Sequence, residues 1–92
     1  MAQQGFRFRT LFVDDDAALR ESSALIVKTF GHEVLTAEDG FHALVELRSV
    51  LPELIVSDLR MPGMSGFELL SIVRQRFPHI PVIAISGELF GT

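Results

Sequence analysis

Three aspartates in a row, Asp14, Asp15 and Asp16, close the stretch "LFVDDD", and a fourth, Asp58, closes "LIVSD" further along the chain. Both follow short apolar runs of the kind that enter a core as β-strands, so both groups of carboxylates stand at strand ends. If those strands are neighbours in one sheet, Asp14, Asp15 and Asp58 converge, and like charges so close resist simultaneous ionisation. The nearest basic residue after the first group is Arg20. A hard divalent cation such as Mg²⁺ would compensate, because it takes one or two carboxylates with a backbone carbonyl and waters and leaves room for a phosphate oxygen. An isolated "DDD" would equally suit a helix cap at Asp16 with two solvated neighbours. The second aspartate favours a metal site, since it precedes "LRMPGMSG", where Gly63 and Gly66 let backbone approach a ligand.

The elements that must hold these residues alternate between two periods. "FRFRTLFV" passes from alternation into the apolar run Leu11 to Val13, a first strand. "AALRESSALIVKTF" predicts a helix with Leu19, Ser23, Ile26, Val27 and Phe30 on one face, an acidic cap at its start and Gly31 at its end. "EVLTA" predicts a second strand, and "FHALVELRSV" a second helix facing inward through Phe41, Leu44, Leu47 and Leu51 until Pro52 stops it. "LIVSD" is the third strand, "FELLSIVRQRF" a third helix with Leu70, Val73 and Phe77 on one side, and "PVIAIS" after Pro78 the fourth strand. Such alternation argues a parallel sheet built from right-handed crossovers, in which ligands collect at the carboxyl ends of the strands. That rule groups Asp14 to Asp16, Asp58 and Ser86. Met61, Met64 and Phe67 are expected to pack around the loop and the helix start. His32, His42 and His79 have no second His or Cys at ligand spacing and receive no role.

Composition bounds the function. Ninety-two residues make one domain, read as residues 1–92 with a polar extension at 1–5 and the core at 6–92. A net charge of -4 disfavours direct binding to nucleic acid or to an anionic membrane surface. With no cysteine, there is neither a disulfide framework nor a thiolate metal site. No apolar run approaches the roughly 18 residues of a membrane span, and "MAQQG" lacks the apolar core of a signal peptide, so a cytoplasmic location is expected.

"LFVDDDAALRE", "GHEVLTAEDGFHAL", "LIVSDLRMPGMSGFELL" and "PVIAISG", in that order and at that spacing, resemble the receiver domains of bacterial two-component response regulators, from about Thr10 to Glu88. The resemblance implies a flavodoxin-like, doubly wound parallel sheet and a phosphorylation-dependent signalling switch. Such a domain is not an enzyme; it assists its own phosphotransfer and dephosphorylation. Carried over residue by residue, Asp58 is the phosphoacceptor that takes a phosphoryl group from a histidine kinase or phosphotransfer protein. Asp14 and Asp15 are the pair that holds Mg²⁺ with Asp58, Asp15 being the more direct ligand, and the backbone carbonyl of Arg60 adds another oxygen. Ser86 supplies the hydroxyl that hydrogen-bonds the phosphoryl group and reports its presence. Arg60 and Glu88 flank the site, where pairing between them would hinder attacking water and lengthen the life of the phosphorylated state. Elementary chemistry agrees, since a carboxylate can carry an acyl phosphate and Mg²⁺ neutralises charge during in-line transfer.

The family's sheet has five strands in the order 2-1-3-4-5. Here the pattern supports four, in the order 2-1-3-4, with the fifth strand, its lysine and the last two helices absent from this chain. "VIAIS" is then an apolar edge. A fragment of a longer protein with an output domain beyond it is expected, or else a homodimer in which a second chain covers the edge. Two other functions fit parts of the pattern. A phosphohydrolase of the haloacid dehalogenase type would use Asp14 and Asp16 as its D-x-D motif and Ser86 as its second motif, although Ala18 stands where that motif has Thr or Val. A receiver-like interaction module would bind without phosphorylation.

Overall fold

The computed structural model describes residues 7–85. Within them the order is β1 (Arg9–Val13), α1 (Ala17–Thr29), β2 (Glu33–Ala37), α2 (Gly40–Ser49), β3 (Leu54–Asp58), α3 (Gly66–Arg76) and β4 (Val82–Ile85). All strand pairs are parallel, in the order β2-β1-β3-β4. The chain steps outward from β1 to β2, returns across β1 to β3, and continues to β4. With right-handed crossovers that reversal puts α1 on one face of the sheet and α2 and α3 on the other.

The pleat divides the strand residues between those faces. Leu11 lies in register with Leu35 and Ile55, and Val13 with Ala37 and Ser57, all toward α2 and α3. The buried core forms there from Leu11, Val13, Ala37, Ile55, Ala43 and Leu47 of α2, Met64, and Leu69 and Val73 of α3. Phe12, Val56 and Ile83 share the opposite face, where α1 lies. β4 is an edge strand among the described residues, and Ile83 and Ile85 are each about half exposed, 51% and 49%.

α1 and α2 meet the sheet through smaller residues than the apolar spacing predicts, and α3 through a neighbouring leucine. In α1 the buried residue is Ala24, with Arg20, Ser23 and Val27 partly covered, whereas Leu19, Ile26 and Phe30 are more than half exposed. A one-residue step along a helix is a rotation of about 100°, so the contact stripe sits beside the apolar one. In α2 the contacts are Gly40, Ala43 and Leu47, with Leu44 at the margin and Phe41 and Leu51 exposed. In α3 Leu69 rather than Leu70 joins Val73 in the core, with Phe77 packed against it. Met64 is buried and Met61 packs on the cluster, but Phe67 faces solvent. Small side chains allow a helix axis to approach a sheet closely, so bulk alone misassigns the inner face.

Each helix begins on a side-chain cap: Asp16 accepts from the Leu19 amide at 3.1 Å, Asp39 from that of His42 at 2.7 Å, and Ser65 from that of Glu68 at 3.2 Å. Glu68 returns the bond to the Ser65 amide, a complete capping box. Gly31, at φ 92°, turns the chain out of α1. No helix among the described residues is long and apolar enough to cross a membrane.

Candidate functional site

β1 and β3 run side by side with Val13 opposite Ser57, so the next step along each strand brings Asp14 and Asp58 out together at the sheet's carboxyl end. Asp14 remains tied to the sheet, its amide donating to the Ala37 carbonyl at 3.1 Å, and the Leu59 amide donates likewise to Ile85 at 2.8 Å. One carboxylate oxygen each from Asp14, Asp15 and Asp58 lies within 4.8 Å of the others. Asp14 and Asp58 are partly buried and Asp15 is exposed. The group lines a cleft of about 390 Å³ that also takes in Asp16, Arg20 and Arg60.

Electrostatics mark this as an unfavourable cluster when no cation is bound. Burial pushes the Asp14 carboxyl above its ordinary 3.8, and the charges of Asp58, Asp15 and Asp16 push the same way, against the Asp16 amide that donates to it at 2.9 Å. Three converging oxygen donors with surplus negative charge fit a hard cation that prefers carboxylate and carbonyl oxygen. Mg²⁺ is such a cation.

The loop after β3 is held close to Asp58 by its backbone. The Arg60 amide donates to Asp58 Oδ1 at 3.2 Å, and the Gly66 amide to the Leu59 carbonyl at 3.0 Å. A side chain at Gly66 would collide with the Asp58 carbonyl and the backbone of Leu59, so α3 can start against β3 only with glycine there. Gly63, at φ 80°, makes the turn between them. Met64 then folds under α2, where a side chain at Gly40 would overlap it.

The residues singled out by sequence therefore have different outcomes. Asp14, Asp15 and Asp58 come together, and Arg60 lines the same cleft. Asp16 lines that cleft too, and its Oδ1 accepts the Leu19 amide as the cap of α1. Ser86 and Glu88 lie outside the described residues. Two features had no role in the sequence reading. Arg20 reaches back to the Asp14 carbonyl, and Gly40 admits Met64 beneath the loop. Arg20 was visible as the first cation after the acidic run; the Gly40 contact joins residues far apart in sequence and left no local signal.

Comparison with known proteins gives one consistent result. Residues 10–89 match the family described as response regulator receiver domain. The chain is 38% identical over 79 residues to the response regulator protein FleR of Pseudomonas aeruginosa, which covers 86% of this chain and 17% of FleR. It is 30% identical over 90 residues to the protein PilG of the same organism, covering 96% of this chain and 67% of PilG. Among solved structures, a response regulator receiver protein from Pseudomonas putida superimposes with a TM-score of 0.83 at 29% identity, over 90% of this chain and 70% of that one. The response regulator TrrA of Thermotoga maritima, solved in complex with Mg²⁺ and BeF, does so with a TM-score of 0.82 at 30% identity, over 91% of this chain and 75% of TrrA.

Proposed function

The chain belongs to the response regulator receiver domain family, and from that premise we propose that it is a phosphorylation-dependent switch whose phosphoacceptor is Asp58. The observation that carries this reading is the convergence of Asp14, Asp15 and Asp58 within 4.8 Å at the ends of adjacent strands. No other group of acidic, His or Cys side chains among the described residues has the makings of a metal site.

Asp58 acts as a nucleophile. Its Oδ1 accepts the Arg60 amide, which leaves Oδ2 to attack the phosphorus of a phosphohistidine on a histidine kinase or phosphotransfer protein. An O–P bond forms, the P–N bond breaks, and the imidazole nitrogen keeps the electron pair. Asp14, Asp15, Asp58 and the Arg60 carbonyl would hold Mg²⁺, which when bound neutralises the charge shared by the acceptor and the phosphoryl oxygens. Asp14 and Asp15 would keep that positive charge beside the acceptor. The Ser86 hydroxyl donates to a phosphoryl oxygen, and its displacement toward that oxygen changes the surface offered to a partner or output domain. Arg60 and Glu88 pair across the phosphoryl group and slow the attack of water.

The test is mass spectrometry of the intact chain after incubation with Mg²⁺ and a small phosphodonor. A gain of one phosphoryl group that is absent in Asp58→Asn and absent without Mg²⁺ is expected; an adduct that survives Asp58→Asn overturns the assignment. For the flanking pair, the Arg60→Ala, Glu88→Ala double variant should lose its phosphoryl group faster than the wild type. An unchanged rate removes that role.

A further inference from the structure

Arg20 enters none of these roles, yet it brings a positively charged side chain onto the turn between β1 and α1. It stands in the first turn of α1, where its amide donates to the Asp16 carbonyl at 2.9 Å. Its guanidinium folds back past the helix start, and Nη1 donates to the Asp14 carbonyl oxygen at 2.7 Å in a partly buried setting. Asp14 is the residue just beyond the last paired position of β1. The ladder that fixes the strand therefore no longer governs its carbonyl, and Arg20 does so instead.

The consequence follows from peptide planarity. The Asp14 carbonyl lies in the plane of the bond joining Asp14 to Asp15, and holding that oxygen fixes the plane. With that plane held, only rotation about the Asp15 N–Cα bond is left to aim the Asp15 side chain. On the other side of Asp14, the amide is held by Ala37 and the carboxylate by the Asp16 amide. The two carboxylates are thus oriented by contacts on each side of one peptide, and Arg20 supplies the last of them.

We propose that Arg20 is a positioning residue for the acidic pair, holding the Asp14–Asp15 peptide so that both carboxylates face the cation site. This rests on the reading of Asp14 and Asp15 as Mg²⁺ ligands. Two effects of Arg20 on the cation oppose each other: its positive charge repels the ion, and its hydrogen bond orients the ligands. The cleft opens to solvent, where charge repulsion is screened. Loss of a group that orients ligands from behind costs about tenfold or more in metal affinity. Orientation therefore dominates, and removing Arg20 weakens binding even though it removes a like charge.

The chain has no Trp or Tyr, so Mg²⁺ affinity is best read by titration calorimetry, with thermal unfolding in chelator as the check of fold. Arg20→Met should bind Mg²⁺ about tenfold more weakly than wild type, and Arg20→Lys, which keeps a charged donor, should recover most of the loss. If the Met variant does not fold, Arg20→Gln, whose arm is too short to reach the carbonyl, should show the same loss. Binding that is unchanged or tighter in the variant lacking the guanidinium overturns the proposal, as does a Lys variant no better than Met. Asp14→Asn separates the two levels: loss of Mg²⁺ binding there with none in Arg20→Met defeats the role of Arg20 alone, whereas binding that survives Asp14→Asn defeats the site and with it this role.

Discussion

At Asp14 the stability of the metal-free chain and the proposed Mg²⁺ site oppose each other. Its carboxyl is raised above 3.8 mainly by burial and then by the charges of Asp58, Asp15 and Asp16. The native chain therefore holds this proton more tightly than the unfolded chain does. Between the ordinary value and the raised one, native protein binds more protons than unfolded protein, so metal-free stability increases as pH falls through that window and declines as pH rises through it. Mg²⁺ competes with the same proton, so its affinity should decrease as pH is lowered through the raised value. Asp14→Asn, which removes the charge and keeps the shape, should raise the melting temperature in chelator and abolish the further rise that Mg²⁺ brings; melting curves with and without the ion check both halves. In the wild type, Mg²⁺ at a hundred times its dissociation constant should add about 2.7 kcal/mol to stability. A melting temperature indifferent to Mg²⁺ would contradict the metal site.

At the scale of elements, the segment from β3 to α3 is held at several points close to the site. It carries Asp58 and Arg60, turns at Gly63, seats Met64 under α2 and enters α3 at Gly66 through the Ser65–Glu68 capping box. Gly66→Ala places a methyl group against the Asp58 carbonyl and the Leu59 backbone, and relief requires moving the acceptor strand or the helix. A cost of about 1–3 kcal/mol is expected from overpacking of this kind, with Asp58 phosphorylation slowed as well. Ser65→Ala removes a cap at a cost of about 1 kcal/mol and leaves the acceptor geometry intact. Urea unfolding and the rate of phosphoryl uptake, measured on both variants, should therefore diverge: stability falls in both, uptake falls only in Gly66→Ala.

For the whole molecule, the two faces of the sheet contribute unequally. The core lies on the side of α2 and α3, where Leu11, Ile55, Leu69 and Val73 are fully buried. Ile55→Ala or Leu69→Ala should cost about 2–5 kcal/mol, whereas Leu25→Ala on the exposed side of α1 should change stability by less than about 0.5 kcal/mol. On the other face α1 leaves a groove lined by Phe8, Phe12, Val27, Leu54 and Val56, and the β4 edge shows Ile83 and Ile85 half exposed. Apolar surface beside an unpaired strand edge promotes association between chains. The weight-average mass of this 92-residue chain from light scattering should accordingly rise with concentration, and Ile83→Lys should reduce that rise.

The period of the apolar residues, the strand-end aspartates and the turn residues determined the element order, the parallel sheet and the grouping of Asp14, Asp15 and Asp58, because each is a local pattern that strand pairing then brings to one edge. Caps at Asp16 and Gly31 were legible for the same reason. What tertiary structure decided is which side of each helix turns inward. Leu19, Phe41 and Leu70 have the bulk of core residues, yet Ala24, Ala43 and Leu69 make the contacts. The distance between helix and sheet sets that choice, and it is a property of the packed pair rather than of either segment. The bond from Arg20 to the Asp14 carbonyl belongs to the same class, since its meaning depends on a helix folding back over the strand that precedes it.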